Sequence, residues 1–134
     1  MEASDTTLSK TNPSDYCIVI TSTDSRENAE LITRTLLEKR LVACVQFSQV
    51  KSAYRWQGKV ISEEEIRLEL KSKVSLYEKL KSEIEKMHIY DVPEILMLPV
   101  TDGNEAYLKW IETETAAPTD LCEPKQPTAS EQAI

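Results

Sequence analysis

Glu65-Ile66-Arg67-Leu68-Glu69-Leu70-Lys71 alternates without a break, Ile66, Leu68 and Leu70 at one parity and Arg67, Glu69 and Lys71 at the other. Successive side chains of a strand point to opposite faces, so this stretch is a strand with one apolar and one charged face. The apolar face meets helices; the charged face is wet or pairs its charges. Upstream, Gln57-Gly58-Lys59 reads as a turn. Before it, Val42-Ala43-Cys44-Val45-Gln46-Phe47 and Tyr54-Arg55-Trp56 read as the preceding strand, bent near residues 48–52, so the two runs predict a long hairpin. Further upstream, Ala29, Ile32, Leu36 and Leu37 recur at helical spacing up to about Arg40, after a capping-box-like start at Asp24 and Glu27. Tyr16-Cys17-Ile18-Val19-Ile20-Thr21 lacks strict alternation, which predicts a central strand covered on both faces.

Downstream, a second helix runs from about Val74 and stops before Tyr90, with Tyr77, Leu80, Ile84 and Met87 in its stripe and Lys79, Glu83 and Lys86 outside. The proline-bounded run from Pro93 to Val100 predicts a strand, and Asn104 to Glu112 a short closing helix. The order β-α-β-β-α-β followed by a helix is the split β-α-β pattern of an α+β, ferredoxin-like sandwich, with both helices on one sheet face. The other face then lacks a cover, and a domain of this size commonly completes its burial by oligomerising. Tyr54 and Trp56 are the candidates for that contact.

Residues 16–114 form the expected domain, flanked by polar tails at 1–15 and 115–134, the second holding Pro118, Pro124 and Pro127. With 16 basic against 23 acidic residues, a net charge of -7 and no long apolar run, the chain is neither a basic nucleic-acid platform nor a membrane-spanning protein. Cys17, Cys44 and Cys122 are odd in number and widely spaced, and the N-terminus lacks the pattern of a secretory signal, so the expectation is a reduced, cytoplasmic protein. Cys44 reads as a core thiol and Cys122 as an exposed one in the C-terminal tail. Two glycines, one histidine and no nucleophile signature leave enzymatic readings little to stand on.

Several blocks carry a resemblance: Leu41-Val42-Ala43-Cys44-Val45, Tyr54-Arg55-Trp56-Gln57-Gly58-Lys59, Lys71-Ser72, His88-Ile89-Tyr90-Asp91-Val92-Pro93-Glu94-Ile95, and Leu98-Pro99-Val100 with Gly103-Asn104 and Tyr107-Leu108-Lys109-Trp110. In this order and spacing they resemble the CutA, or divalent-cation tolerance, proteins over about residues 16–113. The resemblance implies a homotrimer, similar to the PII signalling proteins, in which long hairpins pair across subunits. It also implies a part in tolerance of copper and other divalent ions. The family usually has a proline where Ile89 stands, and Ile20 stands where some members have a cysteine proposed as a copper ligand.

Candidate site residues follow. His88 is the only imidazole, and with Glu65 it is the expected ligand pair for Cu(II) or another divalent cation. The alternative for His88 is a cap on the second helix. Glu63-Glu64-Glu65 reads as a solvated turn or a weak collector of hydrated cations. Lys71, Tyr90 and Arg55 are the expected set for a small anionic ligand in a cleft between subunits, the second functional reading. Tyr54 and Trp56 read as interface anchors or as walls of an aromatic pocket.

Overall fold

The computed structural model describes residues 11–117. A 3-10 turn at Pro13–Asp15 leads into β1 (Tyr16–Thr23), α1 (Arg26–Glu38), β2 (Cys44–Trp56) and β3 (Lys59–Lys73). A 3-10 turn at Val74–Leu76 then opens α2 (Tyr77–Met87), followed by β4 (Leu96–Pro99) and α3 (Glu105–Glu114). The strands form one antiparallel sheet in the order β2-β3-β1-β4. This is the ferredoxin-like α+β arrangement that the element order implied.

Ile66, Leu68 and Leu70 turn inward beside Cys17 and Val19, and α1 and α2 close over them with Ala29, Ile32, Leu36, Leu80 and Ile84. Burying each large aliphatic side chain is worth about 1.5–3 kcal/mol, so this layer dominates the stability of the domain. Leu37, expected in the α1 stripe, is instead 41% exposed. The cap of α1 is Ser25, whose hydroxyl accepts from Asn28 N–H at 3.0 Å, rather than Asp24. The helix ends with Arg40 at φ 57° while Leu41 N–H reaches Leu36 O and Arg40 N–H reaches Leu37 O, the paired bonds of a Schellman close. A non-glycine residue is costly in that conformation. Here the Arg40 side chain donates to Thr113 O at 2.7 Å and Glu114 O at 3.3 Å, and Arg40 O accepts from Ala116 N–H.

Other expectations change as well. The β2–β3 ladder is unbroken from Cys44 opposite Lys71 to Trp56 opposite Lys59, with no bend at residues 48–52. Gln57 (φ 51°) and Gly58 (φ 80°) close it as a two-residue turn with two positive φ angles, which suits the right-handed twist of the strands. Glu63-Glu64-Glu65 therefore lies within β3, not in a turn. The opposite sheet face is partly covered, because α3 lays Leu108 and Ile111 against Tyr16, Ala43 and Val100. The domain boundaries also move outward: Thr11 bonds Glu105, Asn12 caps the first turn, and Thr115 and Ala116 are buried. The remainder of both tails, with Cys122, lies outside the described residues.

Finally, Glu83 is not on an outer face. Its side chain is 6% exposed and meets Lys39 of the segment after α1 at 3.2 Å and Lys79 and Lys86 of α2 at 3.5 Å each. Burial works to raise its pKa, but the Lys39 hydrogen bond and the charges of Lys39, Lys86 and Lys79 outweigh it and hold the carboxyl below its ordinary 4.5. A lowered folded pKa means that the unfolded chain takes up its proton first as pH falls. The stabilisation is thus present above the ordinary value and is lost as pH drops through the folded one. Glu83→Gln is expected to cost about 1–2 kcal/mol at neutral pH, with the difference shrinking once the pH falls below the ordinary carboxyl range and through the lowered folded value. Urea unfolding of both proteins across that range checks it, and a pH-independent difference would mean the ion cluster contributes nothing.

Candidate functional site

β1 pairs with β3 only as far as Thr23 opposite Ile66. Beyond that point β2 and β3 run on alone for seven more pairs, from Val50 opposite Glu65 to Trp56 opposite Lys59. At about 3.4 Å per residue this is an arm of roughly 20 Å projecting from the body. Where the arm leaves the sheet, the chain after α2 wraps across its base. Together they enclose a cleft of about 600 Å³, walled by Tyr54, Trp56 and Tyr90 and carrying Asp24, Glu63, Glu65, Asp91 and Glu94.

His88 positions that wall. It caps α2, with its own N–H donating to Ile84 O at 2.8 Å, and it is 9% exposed. Its Nδ1 lies 3.1 Å from the Tyr90 amide, which can only donate, and its Nε2 lies 2.8 Å from Ser22 O, which can only accept. The imidazole is therefore the Nε2–H tautomer with both nitrogens engaged. Asn28 of α1 donates to Met87 O at 2.9 Å and anchors the same corner. The rings of His88 and Tyr90 are 4.8 Å apart, and Tyr90 OH donates to Glu65 Oε2 at 2.6 Å. Ile89, in the place of the usual proline, is 57% exposed, so the loop is held by these side-chain contacts instead.

The electrostatics of the cleft are one-signed. Glu65 is 8% exposed, and its second oxygen has no partner among the described residues. Glu63 accepts from Tyr54 OH at 2.5 Å and Glu94 from Ser22 OH at 3.0 Å. No ion pair joins any of the five carboxylates to a basic residue among the described residues. The phenols report the same field. Burial, the Glu65 hydrogen bond and the charges of Glu65, Asp24 and Glu63 push Tyr90 well above the usual tyrosine range. The bond to Glu63 leads the causes that push Tyr54 up to about 12.

The expected residues are redistributed accordingly. His88 and Glu65 do not meet within the chain: Tyr90 stands between them, and both imidazole nitrogens are engaged. Among the described residues no three His, Cys, Asp or Glu side chains converge on a point where a metal ion could sit. Lys71, Tyr90 and Arg55 are not brought together either. Lys71 lies six residues along β3 from Glu65, bonded to Gln46 at 2.8 Å and 5.8 Å from the Tyr107 ring centroid. Arg55, opposite Val60, has the opposite strand parity from Tyr54 and Trp56, which line the cleft. Sequence reading missed Asp24, Asp91 and Glu94; only the register of the arm against the body shows that they share a cavity with Glu63 and Glu65. Ile20 is buried in mid-β1, and Cys17, of opposite parity, is buried with its thiol pushed up to about 11 by desolvation. Neither offers a ligand to the cleft.

The family described as CutA1 divalent ion tolerance protein matches residues 17–114. This chain belongs to the CutA family. The divalent-cation tolerance protein CutA of Pyrococcus horikoshii is 42% identical over 98 residues, 73% of this chain and 96% of that protein. The crystal structure of CutA1 from the same organism superposes with a TM-score of 0.73 at 40% identity, covering 75% of this chain and 99% of that one. A CutA of Arabidopsis thaliana, named chloroplastic, is 37% identical over 108 residues, 80% of this chain and 58% of that protein. The match to the family runs from β1 to the end of α3.

His88→Ala removes the links to Ser22 and Tyr90 together and is expected to cost about 2–3 kcal/mol, and Tyr90→Phe, which leaves a buried carboxylate oxygen without its donor, about 1–2 kcal/mol. Denaturant midpoints for the two variants check this. Stabilities equal to the parent would mean that the loop is not anchored through the imidazole.

Proposed function

We propose that this chain acts in divalent-cation tolerance as a homotrimer, and that it contacts Cu(II) or another divalent cation weakly, through the carboxylates of the cleft rather than through His88. The observation that carries this reading is the match of the ordered domain to a family whose relatives are named for that tolerance. The arm supports assembly. An isolated two-stranded hairpin is marginal in water, and this one exposes Val60 (72%) and Trp56 (45%), while β4 exposes Leu96 and Leu98 on the sheet face opposite α1 and α2. A neighbouring copy covering the arm would bury these groups, with Tyr54 and Trp56 as anchors. The role is binding and assembly, not catalysis. Among the described residues no helix is long and apolar enough to cross a membrane, and the free thiols Cys17 and Cys44 suit the reducing cytoplasm, the compartment of this proposal.

Light scattering is expected to give three times the 15.2 kDa chain mass, and Trp56→Ala to shift the population toward monomer. A monomeric parent at micromolar concentration would sink the trimer. In Cu(II) calorimetry, the double variant Glu63→Gln, Glu65→Gln is expected to lose the weak binding that the parent shows. Binding kept by that variant but lost in His88→Ala would make the imidazole the ligand and overturn the carboxylate reading.

A further inference from the structure

Among the described residues, 89–94 take no part in any backbone–backbone hydrogen bond, so the chain between α2 and β4 is fastened by side chains. Its ends are fixed: Asn28 holds Met87 O, and Ile95 packs against the core. Between them lie three fastenings. The Tyr90 amide donates to His88 Nδ1, the Tyr90 hydroxyl to Glu65, and the Ser22 hydroxyl to Glu94. Little apolar burial adds to these, since Ile89 and Val92 are 57% and 69% exposed. A segment held by so few contacts opens at low cost once one of them fails.

The first fastening differs in kind from the other two. A carboxylate accepts when ionised, whereas an imidazole nitrogen accepts only while the ring is neutral, because the imidazolium is a donor at both nitrogens. The Nε2 hydrogen already points at Ser22 O, so an added proton has only the Nδ1 position, and there it meets the Tyr90 N–H across 3.1 Å. Two donors then face each other, and the closed loop and the charged ring oppose one another. The surroundings of the ring nevertheless favour the charge. His88 ends α2 at the negative end of its dipole. Glu94 of the loop lies one bond away through Ser22, and Glu65 of β3 one bond away through Tyr90, with Asp24 and Asp91 in the cleft beyond. On α1, Asn28 is uncharged, and Lys86 in the last turn of α2 is drawn to Glu83 at 3.5 Å. What resists the proton is thus the single contact with the Tyr90 amide.

We propose that His88 is a pH-sensitive latch: on gaining one proton from solvent it releases the Tyr90 amide, and residues 89–94 lift from the base of the arm, drawing Tyr90 away from Glu65 and Asp91 and Glu94 out of the cleft. The open loop holds one proton more than the closed one, so acid favours opening, by at most about tenfold for each pH unit. Every contact of the latch lies within one chain, so it rests on neither the metal reading nor the trimer.

Nuclear magnetic resonance of the isotopically labelled, full-length protein from about pH 8 to about pH 5 tests this, since imidazoles change charge in that range. The His88 ring nitrogens and the Tyr90 amide are expected to shift with one common midpoint, while amide exchange at residues 89–92 speeds up beyond its intrinsic pH dependence. His88→Asn carries no titrating group, yet its side-chain oxygen can accept from the amide two residues on, as in an Asx turn. It is expected to hold the Tyr90 amide unchanged across the range. Should that variant fail to fold, Tyr90→Phe, which keeps the amide and the imidazole, is expected to retain the common midpoint with more opening at every pH. A ring that gains its proton while the Tyr90 amide stays in place would overturn the latch. So would a ring that stays neutral down to pH 5, an amide that moves equally in His88→Asn, or opening in Tyr90→Phe that does not depend on pH.

Discussion

The length mismatch between β1 and β3 is the constraint on which the other features depend. β3 has fifteen residues and β1 eight, so the β1–β3 ladder ends at Ile66 while β3 continues beside β2. The paired half carries the core, because its inward residues meet two helices. The unpaired half has no layer to pack on and becomes an arm. One strand thus belongs to two environments, and the cleft lies at the junction between them.

That junction explains why the carboxylates collect there. Asp24 follows the last residue of β1, Glu63 and Glu65 are the first residues of β3 beyond its partner's reach, and Asp91 and Glu94 come from the loop that must cross from α2 to β4. Asp24, Asp91 and Glu94 sit where elements stop, on connecting segments that carry polar groups readily, whereas Glu63 and Glu65 lie within β3 where its pairing with β1 has ended. Their convergence on one cavity depends on the loop being held down. His88 does this with both nitrogens, converting a side chain that could ligate a metal into one that positions Tyr90 against Glu65. Basic residues are abundant elsewhere: Lys39, Lys79 and Lys86 surround Glu83, and Lys73 and Lys71 face α3. The cleft's negative sign is a local arrangement, not a reflection of the -7 total.

What could be read from the chain itself is the set of features whose physics is local in sequence. The period of two in Glu65 to Lys71, the period of 3.6 in Ile32 to Leu36 and in Leu80 to Ile84, and the turn at Gly58 depend only on near neighbours, and they determined the element order and the α+β class. Family membership was legible for the same reason, since its blocks are contiguous. Glu83 and Leu37 were misplaced because a helical stripe says which side is apolar, not how far a neighbouring helix extends over its edge. Asp24 was taken for a cap because Ser25 beside it satisfies the same spacing.

Only the tertiary structure decided the site. Strand register is a long-range property: it places Val50 opposite Glu65 and Thr23 opposite Ile66, and a shift of one residue would turn every carboxylate of β3 to the other face. The role of His88 was likewise undetermined by sequence, because a lone imidazole serves equally as ligand or as cap until its two nitrogens find partners. Those partners, Ser22 O and Tyr90 N–H, are backbone groups, which nearly every residue possesses and no sequence pattern marks.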